Sequence, residues 1–494
     1  MQTDTTETPS TEASLYDAPM LIDGESLQAA ETVEVRNPAD PTEVVGRVAR
    51  CTPGDVERAI DAAHRVQPDW GGLSFGERAR VLEAALARTE AEAEHRARLY
   101  VRENGKTLAE ARREIGSVPA RGRLTLGLAA ELDTPRRLPA PAGRSEVRPR
   151  PYGVVSAIVP WNAPVPLASM QIIPALLAGN AVVLKVPETA PLALTRTLEL
   201  MHEVLPRGLL NVVAGASSVI GTTLTQHPLV NRIAFVGSIP AGRRIIADAG
   251  QGIRGVVTEL GGNDAAIVME DMTFDDATMD RMAGVIFRMA GQVCMAIKRI
   301  YVPAHREAAF VEALGAAMDR IRVGNGLTPG VTMGSVHNRA GLQNARALVA
   351  EAEAAGAQVR ELGVVEDEAA FERGYFMRPT MVTGVGDGAR VVAEEQFGPV
   401  IPVLTYTDLE DAIRRANDSV FGLGGSVWGD DVERAADVAW RLQAGTVFVN
   451  THGTESVNRS APYGGVKQSG NGRRSGLEGV QEYLVTQTLT TYET

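Results

Sequence analysis

Residues 153–186 read GVVSAIVPWNAPVPLASMQIIPALLAGNAVVLKV. Two short runs rich in β-branched residues, GVVSAIV and NAVVLKV, flank a stretch that is long enough for a helix or a crossover. Nearly continuous apolar strands that alternate with helices are what a parallel sheet covered on both faces requires. The stretch therefore predicts the first βαβ unit of a doubly wound α/β domain.

The same rhythm continues along the chain. LLNVV, RIAFVG and GVVTEL extend the first series to residue 260. A second series, AAIVME, RIYVP, VIPVLTY, GGSVW and GTVFVN, is separated by helical patterns such as 303–322 and 408–418. We therefore predict a second α/β domain over 261–450, whereas 37–132 reads as helical, with Thr52 as a helix N-cap.

The two ends of the chain differ from this body. Residues 1–14 are polar and acidic and are expected to form a disordered tail. The closing stretch VQEYLVTQTLTTYE alternates like an edge strand. A long exposed edge invites pairing with another subunit, so we expect a homodimer or homotetramer.

Composition excludes several classes of function. The 494 residues include 61 acidic and 49 basic side chains, and the formal charge of −12 opposes nucleic acid or anionic membrane as a partner. No apolar run approaches a membrane span, and two cysteines suit a reducing compartment, so a cytoplasmic protein is expected. The seven histidines are scattered, without H-E-x-x-H or C-x-x-C, so no metal site is expected.

Polar residues follow the predicted strands of the first series. Lys185 and Glu188 lie just past NAVVLKV, where open α/β sheets bind ligands. A carboxylate there accepts hydrogen bonds from both hydroxyls of an adenosine ribose and repels the 2′-phosphate of NADP, so Glu188 favours NAD. Gly237 and Ser238 follow RIAFV at a turn into a helix, which suits either a phosphate or a tight structural turn.

Three further residues allow two interpretations each. Cys294, in GQVCM, attacks a carbonyl carbon if backbone donors favour its thiolate, or else packs as a small apolar residue. Glu259 follows GVVT and is either a general base or a solvated carboxylate, and Asn162 either donates to an oxyanion or favours its turn. The residues alone leave these alternatives open.

Taken in order, the motifs resemble the signatures of the aldehyde dehydrogenase superfamily over nearly everything after the tail. They are PWN at 160–162, KVPE at 185–188, FVGS at 235–238, ELGG at 259–262, GQVC at 291–294, EEQFGPV at 394–400 and PYGGVKQSGNGR at 462–473. The resemblance implies two doubly wound α/β domains and a β oligomerisation arm. It places the Rossmann-like NAD-binding domain at 15–132 and 151–260, the catalytic domain at 261–450, the arm at 133–150 and 480–494, and a returning segment that lines the active site at 451–479.

The resemblance also implies residue roles. Cys294 matches the nucleophile, Glu259 the general base, and Asn162 the donor that forms the oxyanion hole with the Cys294 N–H. The implied NAD contacts are Trp161, Lys185, Glu188, Gly237, Ser238, Glu395 and Phe397. The implied reaction is oxidation of an aldehyde to a carboxylic acid through a Cys294 thiohemiacetal and thioester, which water activated by Glu259 hydrolyses.

The substrate pocket is predicted from residues near these motifs. Its expected members are Ala163, Leu167, Met170, Val293, Met295, Glu455 and Arg459, with His452 and Asn458 also able to face the channel. Arg459 either pairs a substrate carboxylate, as in semialdehyde oxidation, or faces solvent. Ile297 and Lys298 replace the small residues that usually follow the nucleophile, which leaves local packing open.

Three alternatives remain at this stage. A CoA-acylating semialdehyde dehydrogenase of the same fold transfers the acyl group to CoA, but does not need Glu259. A non-catalytic structural protein on this fold predicts loss of the reacting groups, whereas Cys294, Glu259 and Asn162 remain. An NADP enzyme is disfavoured by Glu188.

Overall fold

The computed structural model describes residues 15–140 and 143–492, so the predicted tail lies outside the described residues. The strands are β1 Tyr16–Ala18, β2 Met20–Ile22, β3 Glu25–Leu27, β4 Thr32–Asn37, β5 Asp40–Ala49, β6 Arg136–Ala140, β7 Gly143–Pro151, β8 Val154–Ile158, β9 Ala181–Lys185, β10 Leu210–Val213, β11 Val230–Val236, β12 Gly255–Glu259, β13 Asp264–Val268, β14 Ile297–Pro303, β15 Arg322–Val323, β16 Gln358–Glu361, β17 Val364–Val365, β18 Thr380–Thr383, β19 Val400–Tyr406, β20 Gly424–Trp428, β21 Thr446–Val449, β22 Gly470–Asn471 and β23 Leu484–Tyr492.

The helices alternate with these strands. They are α1 Pro53–Gly72, α2 Phe75–Arg88, α3 Ala93–Asn104, α4 Leu108–Leu126, α5 Ala129–Leu132, α6 Pro164–Leu177, α7 Leu192–His202, α8 Ser217–Gln226, α9 Ile239–Gln251, α10 Asp276–Ile286, α11 Glu307–Asp319, α12 Arg339–Ala354, α13 Glu368–Arg373, α14 Arg390–Ala393, α15 Leu409–Asn417, α16 Val432–Ala439 and α17 Gly476–Gln481. Short 3₁₀ turns lie at Arg288–Gly291, Ala304–Arg306 and Lys467–Ser469.

The first sheet has eight strands in the order β22, β12, β11, β8, β9, β10, β2 and β3. Its central five strands are the five predicted from the first series, and they run parallel. They are buried nearly throughout, because helices cover both faces of the sheet. The doubly wound α/β prediction is confirmed for this part of the chain.

The second sheet has seven strands in the order β16, β18, β19, β14, β13, β20 and β21. All five strands predicted from the second series lie in it and run parallel, and only β16 pairs antiparallel. Helices α11 and α15 fall within the two predicted helical patterns. Residues 260–263 join the end of β12 to the start of β13, and so carry the chain from one sheet to the other.

The region predicted as helical needs one correction. Thr52 does cap α1, and Thr52 and Asp55 form a reciprocal capping box, as expected. Residues 40–49, however, form strand β5 rather than a helix, pairing with β4 and β1. Its valines, such as Val45 and Val48, are β-branched and buried, and sheet packing therefore outweighs the helical character of the sequence that follows.

Strands β6, β7 and β23 form a further sheet, separate from the eight-stranded and seven-stranded sheets. It is antiparallel, in the order β23, β7 and β6, and within the described residues each outer strand pairs along one side. Leu489 and Tyr492 on β23 are 66% and 72% exposed. These are the strands expected in the arm. Within the described ranges, no helix is both long and apolar enough to cross a bilayer.

Candidate active site

The carboxyl edge of the first sheet supplies five of the predicted residues. Lys185 ends β9, Glu259 ends β12, and Asn162 lies in the turn between β8 and α6. Gly237 and Ser238 connect β11 to α9, and the Ser238 hydroxyl caps the helix by accepting from the Ala241 N–H. Parallel strands bring their ends to one edge, and so the fold collects these residues although they are far apart in sequence.

The second sheet contributes its opposite, amino edge. Cys294 lies just before β14, while Glu395 and Phe397 lie just before β19. A side chain at Gly291 would strike the backbone of Gly398, so the two loops pack backbone against backbone and residue 291 has φ of +71°. Only glycine meets both demands without strain.

The loop that carries Cys294 has an unusual backbone. Met289 and Ala290 adopt left-handed φ values of 50° and 54°, which cost roughly 1–3 kcal/mol each in residues with a Cβ. Hydrogen bonds hold this conformation, because the Met289 N–H donates to Glu110 Oε1 at 2.8 Å and Gln292 Nε2 donates to the Met289 carbonyl at 2.8 Å. Such an ordered turn gives the nucleophile loop one defined shape.

Asn162 and Cys294 line the same cavity, whose volume is about 120 Å³. The buried Asn162 amide donates one N–H to the Gln292 carbonyl at 3.0 Å, which fixes its orientation. An asparagine amide carries two N–H groups, so the second remains for an oxygen in the cavity. The arrangement can stabilise negative charge on an oxygen beside the Cys294 sulfur.

The Cys294 thiol is half-buried. Burial, together with the nearby carboxylates of Glu395 and Glu259, raises its pKa to about 12. A backbone hydrogen bond from Met295 lowers the pKa, as the sequence led us to expect, but it is outweighed. The resting thiol therefore keeps its proton, and a base has to remove it before attack.

Glu259 is suited to be that base. It is buried, and burial raises its pKa to about 7, against the opposing effects of Arg474 and of a hydrogen bond from the Tyr463 hydroxyl. The Arg474 Nε lies 3.9 Å from Glu259 Oε1. A carboxyl group with this pKa can accept a proton and release it again near neutral pH. Tyr463 lies in PYGG but was given no role from the sequence.

Aromatic rings and a carboxyl group meet between the two edges. The half-buried Trp161 stacks on His337 with ring centroids 4.3 Å apart, and meets Phe397 edge to face at 5.6 Å. Glu395 Oε1 accepts a hydrogen bond from the Gly262 N–H at 3.2 Å, and burial raises the Glu395 pKa to about 7. These three predicted cofactor residues, Trp161, Glu395 and Phe397, therefore belong to one neighbourhood.

Lys298 is the least expected member of the site. It is buried, its Nζ donates to the Gly291 carbonyl at 2.6 Å, and it lies 5.4 Å from the centroid of the Phe397 ring. Its charge acts on Glu395 and holds the pKa of that carboxyl below the value that burial alone would give. Lys298, which replaces a small residue common in the family, thus contacts the loop that carries Cys294 and lies close to the loop that carries Phe397.

Lys185 and Glu188 lie together at the outer part of the first edge. Burial lowers the Lys185 pKa and the charge of Glu188 opposes that shift. The Lys185 Nζ makes one long contact, 3.5 Å to the Val186 carbonyl, and Glu188 is half-buried. The Lys185 ammonium group can donate a hydrogen bond to a ligand hydroxyl, and the neighbouring Glu188 carboxylate can accept one.

Most of the predicted pocket residues line the cavity that holds Cys294. They are Ala163, Leu167, Met170, Val293 and Arg459. Met295 and Glu455 do not, because Met295 packs on Leu423 and Phe448 while Glu455 pairs with Arg288 and Arg113 in a neighbouring cleft.

The two other channel candidates also lie elsewhere. His452 is buried, and its Nε2 is 3.1 Å from Asp264 Oδ2. Asn458 is exposed and caps the Ser460 N–H. Arg121 of α4 lines the cavity and was missed, because its helical surroundings gave no sequence signal. In residues 15–140 and 143–492, no group of three or more His, Cys, Asp or Glu is placed to hold a metal ion.

Comparisons with known proteins agree with this geometry. Residues 26–489 match the aldehyde dehydrogenase family. The chain is 34% identical over 484 residues to the peroxisomal aminoaldehyde dehydrogenase 1 of Pisum sativum, covering 96% of this chain and 95% of the relative. It is 34% identical over 487 residues to the NADP(+) succinate-semialdehyde dehydrogenase of Escherichia coli (strain K12), covering 96% and 97%.

A solved structure extends the comparison to the fold. Betaine aldehyde dehydrogenase from Staphylococcus aureus, in complex with NAD+, matches with a TM-score of 0.90 and 34% identity, covering 96% of this chain and 95% of that chain. The chain therefore belongs to the aldehyde dehydrogenase family. It is an oxidoreductase that acts on aldehydes.

Proposed function

We propose that the protein oxidises an aldehyde to the free carboxylic acid with NAD, with Cys294 as the nucleophile. The observation that carries this assignment is the convergence of the Cys294 thiol and the Asn162 amide on one cavity, within the electrostatic reach of Glu259. These three groups supply a nucleophile, an oxyanion donor and a base.

The first chemical step forms a bond from sulfur to carbon. Glu259 accepts the thiol proton, since its pKa near 7 leaves about half of it ionised at neutral pH. The thiolate adds to the aldehyde carbon, and the carbonyl oxygen becomes an oxyanion held by the free N–H of Asn162 and the Cys294 backbone N–H. Bound NAD would supply the acceptor for the hydride that leaves this carbon.

The second step returns the enzyme to its starting state. Loss of hydride from the tetrahedral thiohemiacetal leaves a Cys294 thioester. Glu259 releases the thiol proton to solvent and then takes a proton from water, and the hydroxide adds to the thioester carbon. The C–S bond breaks to release the acid, and the proton on Glu259 returns to the Cys294 thiolate. One carboxyl group serves both steps, and so turnover depends on Glu259 twice.

We assign the cofactor from the polar and aromatic residues at the carboxyl edge of the first sheet and the amino edge of the second sheet. Lys185 and Glu188 would hold the adenosine ribose, Gly237 and Ser238 the pyrophosphate at the start of α9, and Trp161, Glu395 and Phe397 the nicotinamide ribose and ring. The nearly unused buried Lys185 ammonium supports this fit. The Glu188 carboxylate would repel a 2′-phosphate, which favours NAD over the NADP named for one relative.

A CoA-acylating enzyme is the second candidate, because the same thioester can pass to CoA. Glu259 argues against it, because hydrolysis needs a base a second time, to activate water after the thiol has reacted, and the buried Glu259 carboxyl group acts on the Cys294 site with a pKa suited to that step. We also assign 15–132 and 151–260 to cofactor binding, 261–450 to catalysis, 133–150 and 480–494 to an oligomerisation arm, and 451–479 to the active-site wall. The exposed edges of β6 and β23 support a homodimer or homotetramer.

The charge and cysteine content support the remaining assignments. The acidic balance argues against a nucleic-acid or anionic membrane partner. Two free cysteines, one of them the buried Cys51, suit a reducing compartment, and we assign the protein to the cytoplasm.

The test is a panel of aliphatic, aromatic and ω-carboxylated aldehydes, followed by NADH absorbance with and without CoA. We expect NADH and free acid in equal amounts, and no acyl-CoA. Acyl-CoA as the main product would favour the second candidate. Slow labelling of Cys294 by iodoacetamide, unaffected by any aldehyde, together with no NADH formation, would instead favour a structural protein on this fold.

A further inference from the structure

Two arginine side chains enter the cavity of Cys294 from different parts of the chain. Arg121 belongs to α4 and Arg459 to the segment 451–479, and both line the cavity. Burial, together with the charge of Arg459, lowers the pKa of Arg121 to about 10. Two neighbouring guanidinium groups in a confined space repel each other unless an anion lies between them.

Among the described residues, Glu114 is the one carboxyl side chain that lines this cavity, and its charge raises the Arg121 pKa without forming an ion pair with Arg121. Among residues 15–140 and 143–492, no ion pair joins Arg121 or Arg459 to an acidic side chain. The Arg121 Nε is buried without a hydrogen-bond partner there, and Nη1 contacts the Met170 sulfur at 3.2 Å. A buried donor left unsatisfied in this way costs free energy, so an external acceptor that reaches it is bound favourably.

Other charged groups at the same cavity are already paired. Arg288 forms an ion pair with Glu455 at 2.8 Å, and Glu114 accepts from Lys106 Nζ at 2.7 Å. The ion-pair partners of these two groups lie within the chain, although the Arg288 Nε is also buried without a hydrogen-bond partner among the described residues. Arg121 and Arg459 are the arginines of this cavity that have no such ion pair in the described part of the chain.

The side chains that line the cavity of Cys294 are unsuited to a cationic substrate. A buried ammonium group is held by aromatic faces or by a free carboxylate. Tyr463 is the one aromatic side chain among the described residues that line the cavity, and its hydroxyl is bound to Glu259. The remaining walls are mainly aliphatic, as at Leu167 and Val293.

We propose that the substrate is a short aldehyde that carries a carboxylate at its far end, bound by Arg121 and Arg459. This inference rests on the proposed function. A guanidinium fork matches the two oxygens of a carboxylate in bidentate geometry, and the aliphatic walls cover the carbon chain between the two functional groups. The cavity volume of about 120 Å³ corresponds to about four water molecules at roughly 30 Å³ each, which suits a short chain.

The test compares three aldehydes of equal chain length that end in a carboxylate, a methyl group or an ammonium group. For the wild-type protein we expect kcat/KM for the carboxylated aldehyde to exceed that of the n-alkanal by at least tenfold, and the aminoaldehyde to be poorest. In Arg121→Gln and Arg459→Gln, the ratio of carboxylated to alkyl substrate should fall by about 10-fold to 100-fold, mainly through KM.

Arg123→Gln is the matched control. Arg123 lies on the same helix, but it is exposed and paired with Glu83 and Glu90. We expect this variant to keep the wild-type substrate ratio. A similar fall in Arg123→Gln would show a general effect of charge on α4 and would overturn the proposal.

A measurement without variants covers the case in which a substituted protein fails to fold. A dicarboxylate product should inhibit the wild-type protein at least tenfold more strongly than the monocarboxylate of the same length. Equal inhibition, or a preference for the alkanal or the aminoaldehyde, would overturn the carboxylate assignment while leaving aldehyde oxidation intact. If no aldehyde of the panel yields NADH, the proposed function itself fails.

Discussion

The two sheets contribute to the site from opposite ends of their strands. In the first sheet, Lys185 and Glu259 are the last residues of β9 and β12. In the second sheet, Cys294 and Glu395 precede β14 and β19. The first edge gathers the groups that we propose to contact ribose and to activate water. The second carries the proposed nucleophile on loops that have left-handed backbone at Met289, Ala290 and Phe397.

This difference has a physical origin in the link between the sheets. Residues 260–263 take the chain from the carboxyl end of β12 to the amino end of β13, so the two edges face each other. A side chain at Gly262 would strike the Cys294 carbonyl, and one at Gly261 would strike the Glu395 carboxyl group. The two glycines therefore allow the segment that follows Glu259 to lie against the loops that carry Cys294 and Glu395.

The largest expected effect comes from removing the reacting atom of the second edge. Cys294→Ala should lower NADH formation by about 10⁴-fold or more, because no other group of the site can form the thioester. Cofactor binding, followed by fluorescence quenching, should remain close to wild type. Cys51→Ala is the matched control, since Cys51 is the other free cysteine and lies buried in the first core. More than a few per cent of residual activity in Cys294→Ala would contradict its role.

The second largest effect is expected at Glu259, the proposed base at the carboxyl edge of the first sheet. Glu259→Gln should lower kcat by about 10²-fold to 10⁴-fold, because an amide cannot accept a proton from the thiol or from water. In the wild-type protein, kcat should fall about tenfold per pH unit below pH 7. The sign follows from the raised pKa of about 7, since the carboxyl group is protonated, and so inactive as a base, below that value.

The control for this variant is another buried carboxyl group. Glu103 accepts from the Leu192 and Ala193 N–H groups, and burial raises its pKa to about 8. Glu103→Gln should reduce stability but keep the shape of the pH profile. A wild-type profile that is flat between about pH 5 and 7 would remove Glu259 from the rate-limiting step.

A moderate effect is expected from replacing Lys298, which is buried near the amino edge of the second sheet. Lys298→Met removes a hydrogen bond from a charged donor to the Gly291 carbonyl and should lower the free energy of unfolding by about 1–3 kcal/mol. It also removes the charge that lowers the Glu395 pKa, so Glu395 should be largely protonated at pH 7. We expect the KM for NAD to rise about tenfold at pH 7 and to recover at higher pH. An unchanged KM at both pH values would limit Lys298 to a structural role.

The smallest effect concerns the outer part of the first edge. Glu188→Gln should reduce the preference for NAD over NADP by about threefold to tenfold, because it removes one negative charge from a half-buried position that is partly screened by solvent. The measurement is kcat/KM for both cofactors at limiting concentration. Glu57→Gln, an exposed substitution on α1, should leave the preference unchanged. An equal change in both variants would argue against a local contact.

The difference between the two sheet edges also explains which site residues could be predicted from the sequence. Ligands of open α/β sheets bind at carboxyl ends of strands, and this rule located Lys185, Glu188 and Glu259 without a relative. The same rule does not find Cys294 and Glu395, because they lie at the amino ends of their strands. The choice of roles for these two residues depended on the family resemblance. Strand β5 was missed because strong helix formers dominate the sequence around it. Arg121 was missed because nothing in a helical pattern distinguishes an arginine that enters a cavity from one in solvent.

Helix α4 makes two of the contacts described above. Near its amino end, Glu110 anchors the Met289 N–H of the nucleophile loop, and eleven residues later Arg121 reaches the cavity. At 1.5 Å of rise per residue, these positions are about 16 Å apart along the helix, and Pro119 lies between them. One helix therefore contacts both the Cys294 loop and the cavity. We expect chain-length selectivity to depend more on α4, including the turn at Pro119, than on the surrounding loops.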